Sequence, residues 1–196
     1  MTTTTSSTTV RPSKTQPARR VATLIAALVC GLALPGRADL GQDNRAPDVP
    51  AAIAVPEGNK VSFHAYAEGV QIYVATPSAA DPTVLVWTFR APEAVLFDNG
   101  GNIVGIHYAG PTWETESGSM VVGARVAGTT VDATAIPWLL LRAVSTEGPG
   151  VLERTTFVQR VNTVGGLAPA TPPTQAGQEA RVPYTADYYF FRDAQP

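Results

Sequence analysis

From residue 61 to the C-terminus, apolar side chains recur at every second position, and few windows carry the spacing of a helical stripe. Period-two alternation lines one face of an extended chain with apolar groups, so the segment reads as strands with one face buried. Val61, Phe63, Ala65 and Ala67 alternate with Ser62, His64 and Tyr66. Val70, Ile72 and Val74 follow a turn at Glu68-Gly69. A third run, VLVWTFR at 84–90, is closed by Ala91-Pro92, and Asp98-Asn99-Gly100-Gly101 has the chemistry of a tight hairpin joining 94–97 to 102–108. Further runs lie at 119–127, 136–144 and 153–161; a Pro/Gly/Ala/Gln-rich stretch at 165–183, expected to be a flexible loop, precedes the last run at 184–192. With no alternation of strands and helices and no internal repeat, the expected fold is all-β: a β-sandwich or closed barrel of about nine short antiparallel strands.

The first forty residues are of another kind. Residues 1–20 are rich in Thr and Ser and carry Arg11, Lys14, Arg19 and Arg20. An uncharged run, VATLIAALVCGLAL, fills 21–34, and Pro35-Gly36 breaks it. That order of basic, apolar and small residues is a secretory signal peptide, and the run falls short of the roughly 20 residues of a spanning helix. Cleavage near Ala38 is expected, by the general secretory or the twin-arginine route, leaving no membrane span in a secreted or periplasmic protein. Arg19-Arg20 resembles a twin-arginine signal but lacks the bulky apolar pair after it. Cys30 follows Val29 rather than a small residue, which argues against lipidation. Residues 39–54, polar and proline-bearing, are expected to form a poorly ordered arm ahead of a single domain at 55–196.

Removing the leader changes the charge. The whole chain has 14 Lys and Arg against 16 Asp and Glu, a formal net of −2. Five of the basic residues and none of the acidic ones lie before residue 39, so the 158 residues from 39 onward carry a net of −7 and no cysteine. This excludes a nucleic-acid footprint, which needs a basic face, and excludes disulfides and thiolate metal clusters.

Several blocks are recognisable: VPEGNKVSFHAYAEGVQIY from Val55, FRAPEAVLFD from Phe89, GIHYAGPTWE from Gly105, IPWLLL from Ile136, QRVNTVGGLAP from Gln159 and RVPYTADYYF from Arg181. In this order they resemble a secreted family of bacteria and fungi whose function is unknown. Some of its members carry a malate dehydrogenase label. The chain has no Gly-rich turn between strand and helix to support a nicotinamide cofactor, since Gly100-Gly101-Asn102-Ile103-Val104-Gly105 has the wrong spacing and falls in the expected hairpin. No cofactor is expected. The resemblance also implies a cysteine pair just after the QIY and GLAP blocks. Here those places read Val74-Ala75 and Ala170-Thr171, so the 165–183 loop has to be held by packing alone.

Chemistry-bearing residues are few. The histidines, His64 and His107, could pair at one end of the sheet with Glu114 or Asp187 as ligand or acid/base partner of a hydrolase or metal-assisted enzyme. No His-x-His or His-Glu-x-x-His spacing supports a metal, and none is expected. Ser117 or Ser119 with His107 and Asp187 or Glu116 would make a nucleophilic set, but the Gly-x-Ser-x-Gly context is absent. Amphipathic rings are a stronger lead. Tyr66, Tyr108, Tyr184 and Trp113, the last read as lying in a turn, could line the mouth of a barrel with Arg160 and Asn162, binding an uncharged or cationic small molecule. Arg160 could instead clamp a carboxylate, or pair with Glu153 or Asp187. Trp138 reads as core. The leading expectation is a non-catalytic module that binds a small molecule or a cell-envelope component.

Overall fold

The computed structural model describes residues 45–195. The expected leader with Cys30, and the first residues of the arm, lie outside the described residues. Eight strands follow in chain order: β1 (Asn59–Pro77), β2 (Leu85–Phe97), β3 (Ile103–Tyr108), β4 (Thr112–Thr115), β5 (Met120–Thr129), β6 (Trp138–Glu147), β7 (Phe157–Gly165) and β8 (Glu179–Asp193). Each pairs antiparallel with the next, and β8 returns to pair with β1 from Asn59↔Asp193 to Val74↔Glu179. The sheet is therefore a closed up-and-down barrel with no free edge to cap.

The difference from nine strands has local causes. Residues 61–67 and 70–74 are one strand, because Glu68-Gly69 is not a turn. A Cβ at Gly69 would overlap the Glu93 carbonyl oxygen and the Ala94 backbone. Here glycine lets β1 and β2 close up where a long strand bends around the barrel. Likewise 84–90 and 94–97 are one strand running through Pro92. The strand missing from the sequence reading is β4, four residues long, too short for alternation to reveal. The Asp98 turn forms as expected, its carboxylate accepting from the Gly100 and Asn102 amides at 2.8 and 2.9 Å.

Alternation sorts the side chains into two apolar clusters. Inside the barrel, Phe63, Leu96, Val121, Leu152, Val158 and Phe190 are all buried. They fill the end bounded by the β2–β3, β4–β5 and β6–β7 connections, where the Leu152 amide donates to Ser119 Oγ at 3.0 Å. Outside, residues 49–55 lie across β5 and β6 and reach Val161 of β7. Ile53, in a short 3-10 turn (Ala51–Ile53), is fully buried with Leu140 and Val161, and Trp138, Phe157 and Tyr189 pack around them. Gln159 Nε2 donates to the Ile53 carbonyl at 2.7 Å. Residues 49–54 are thus a docked clasp rather than a loose arm, and Trp138 belongs to this outer cluster rather than to the barrel interior.

The 165–183 stretch is also tied down. The Ala75 amide donates to Gln178 O and the Gly177 amide to Ala75 O, while the Trp87 indole donates to Thr171 O at 2.9 Å. Trp87 stands opposite Ala75 in the β1–β2 register. It therefore links the two places where the resemblance implied cysteines.

Candidate functional site

The other end of the barrel stays open. Between its β1–β2, β3–β4, β5–β6 and β7–β8 connections lies a cavity of about 500 Å3, within the roughly 300–1,000 Å3 of small-molecule sites. Its walls come from Tyr73, Phe89, Trp113, Leu139, Leu141 and Tyr188, with Arg90, Arg125 and Arg160 as the charged groups.

Local sequence explains how each wall is set. Trp113 points inward from β4, 1% exposed, and lies flat on His107 of β3 with ring centroids 4.4 Å apart. The indole has room because position 123 on β5 is glycine: a Cβ there would come within 3.1 Å of the Trp113 ring. Tyr188 meets both rings edge-on, at 5.0 Å from His107 and 5.3 Å from Trp113. Tyr73 donates to Gly166 O at 2.7 Å, fixing the β7–β8 connection beside the mouth.

The β5–β6 connection folds over the mouth. Thr163 Oγ1 donates to Ile136 O at 2.6 Å, and Arg160 donates from Nε and Nη2 to Pro137 O at 3.2 and 2.8 Å. With both carbonyls taken by side chains of β7, β6 begins at Trp138 rather than at 136.

Charge inside the cavity is one-sided. Burial pushes the Tyr73, Tyr184 and Tyr188 hydroxyls upward, so all three are neutral phenols, and Tyr184 and Tyr188 lie 3.3 Å apart oxygen to oxygen. Burial, outweighing the raising effect of the bond to Thr112 O and joined by a smaller lowering effect of the Arg160 charge, brings His107 down to about 3. Its Nδ1 donates to Thr112 O at 2.7 Å, which fixes the tautomer and leaves a neutral ring. Among the described residues, no carboxylate lines the cavity. Arg90 is paired with Glu179 at 2.8 Å; among the described residues, no carboxylate pairs with Arg125 or Arg160.

The barrel wall divides the residues singled out from sequence. Trp113 and Arg160 line the cavity, and Tyr184 lies behind it, hydroxyl to hydroxyl with Tyr188. Trp113 is not in a turn but fully inside. Tyr66, Tyr108 and Asn162 are on the outer face. Tyr108 donates to Glu114 Oε2 at 2.9 Å, and Asn162 donates to Asp187 Oδ2 at 2.7 Å. Arg160 therefore pairs with neither Asp187 nor Glu153.

His64 also faces outward, stacked on Tyr189 at 4.1 Å, with the wall between it and His107. The two histidines are not brought together, and neither Glu114 nor Asp187 joins His107. Ser119 is fully buried at the closed end, where its Oγ accepts from the Leu152 amide rather than meeting His107. Among the described residues no three His, Cys, Asp or Glu side chains cluster as a metal site.

Sequence reasoning missed Tyr73, Phe89, Arg125 and Tyr188 as cavity residues. Tyr73 alternates with Ile72 and Val74, the apolar set of what reads as a separate strand, and the continuity of β1 through Gly69 turns Tyr73 inward instead.

No curated protein and no solved structure matches the chain. Residues 56–192 match the model of a family described as protein of unknown function, DUF3455. That span runs from the residues just before β1 almost to the end of β8, covering the whole barrel, and the chain belongs to this family.

Proposed function

We propose that this is a non-catalytic binding module, acting after export, that takes a small molecule into the mouth of its barrel. The observation that carries this reading is the cavity of about 500 Å3 walled by Tyr73, Phe89, Trp113, Leu139 and Tyr188. Aromatic walls with a few placed polar groups are the usual make-up of a small-molecule site. Among the described residues no Ser, Cys or carboxylate belongs to its lining, which supports binding over chemistry. The hydrolase or metal-assisted alternative requires His64, His107, Glu114 and Asp187 in one place, and no observation favours it.

A thermal-shift panel of sugars, lipids and aromatic compounds tests the reading. The aromatic class is expected to raise the midpoint in the purified protein. It should fail to do so in Leu139→Trp, where the larger ring occupies the cavity. No shift with any class would sink the proposal.

A further inference from the structure

We infer that the ligand of this cavity is an aromatic monocarboxylate, with its carboxylate held by Arg160 and its ring against the Trp113–Tyr188 side of the wall; this rests on the binding reading above. The argument starts from a cation without a counter-ion. Arg160 is half-buried on the inner face of β7, and among the described residues no acid pairs with it. Two of its donor positions serve one carbonyl oxygen, that of Pro137. A guanidinium has five N–H donors in a planar fork, so donors remain for a ligand. Their orientation is fixed in advance by the Pro137 anchor. Such a fork matches a carboxylate in two-point geometry.

Three further features narrow the class. Arg125 at the rim is likewise without an ion-pair partner among the described residues, so the mouth adds a second positive charge on the way in. The ionisable groups around Arg160, namely Tyr73, His107, Tyr184 and Tyr188, are all held neutral by burial, so no negative charge among them competes for the guanidinium, and the Tyr188 hydroxyl takes one of its remaining donors. The domain outside the cavity is acidic, at −7 from residue 39 onward. A multiply charged anion would be repelled by that surface and would meet one deep cation, whereas a single negative charge on an apolar body suits both. The same one-sided charge excludes the cationic ligand that the aromatic residues alone allowed. Flat rings rather than alkyl chains fit a wall built from stacked and edge-on aromatics.

Isothermal titration of the purified protein with 2-naphthoate, 2-naphthamide and 2-naphthylmethylammonium tests the inference. Naphthoate is expected to bind at least about tenfold more tightly than naphthamide, as a charge-assisted hydrogen-bond pair implies, and the ammonium more weakly than either. In Arg160→Gln the preference for naphthoate over naphthamide should fall below about threefold. Because Arg160 also anchors Pro137, Arg160→Lys covers the case in which the glutamine variant fails to fold. The lysine variant keeps the charge but not the fork, and it should lose at least about fivefold on naphthoate relative to naphthamide. Equal binding of naphthoate and naphthamide by the unaltered protein overturns the carboxylate assignment and leaves the cavity reading standing. Unchanged naphthoate affinity in the lysine variant overturns the role of Arg160. Binding of none of the three overturns this inference; the wider panel above then decides whether the cavity reading survives.

Discussion

His107 is held in its neutral form by the barrel interior, and that has a consequence for stability. Its folded pKa is about 3, against an ordinary value of 6.5. Between those two values the unfolded chain binds a proton that the native protein does not, so stability rises with pH across the window and falls on acidification through it. The expected slope is about 1.4 kcal/mol per pH unit at most. Replacing His107 by Phe keeps a ring against Trp113 and removes the titration. Urea midpoints at pH 4 and pH 7 check this: the unaltered protein should lose markedly more than His107→Phe between the two. Equal losses would show that the ring titrates freely. At this scale the residue types were readable from sequence, but their roles were not. His64 and His107 looked equivalent as the two histidines of strands, and only the wall separates a ring stacked on Tyr189 outside from one stacked on Trp113 within.

At the scale of elements, the long strands depend on places where two backbones come close. Gly69 is the clearest, since the opposing Glu93 carbonyl occupies the space of a side chain. Gly69→Ala is expected to cost about 1–3 kcal/mol through overpacking, read as a lower urea midpoint. The clasp of residues 49–55 makes a second case. Ile53 fills the outer cluster with Leu140 and Val161, and Ile53→Ala should cost about 2–4 kcal/mol. Its emission should also shift to the red as Trp138 meets water, so a variant with unshifted emission would contradict the docking. Period two made the long strands legible, because six or more alternating residues leave a clear record. The break at Glu68-Gly69 was misread because glycine signals both turns and close backbone approach. Nothing local separates those uses. The 49–55 clasp was invisible for a related reason: its apolar residues, Val49, Ile53 and Val55, are too few and too irregularly spaced to register as a pattern, and their partner is a sheet face formed a hundred residues later.

For the molecule as a whole, closure is the governing fact. The β1–β8 seam joins the two ends of the domain over fifteen register pairs, so no strand can leave without exposing two edges. Unfolding is therefore expected to be a single transition, with far-ultraviolet dichroism and tryptophan fluorescence changing together in urea. Separate midpoints would mean that the clasp or the mouth unfolds on its own. The alternation, the turn chemistry, the acidic balance after the leader and the missing thiols were all properties of the sequence, because each is set by neighbouring residues or by counting. They determined an all-β domain with buried alternate faces. Whether the sheet closes, which face of each strand turns inward, and that Arg160 meets a carbonyl and an open cavity instead of Asp187 were decided by the tertiary structure alone. Strand register and barrel closure are set by pairings between residues far apart in the chain. A shift of one residue would have exchanged the inner and outer sets throughout.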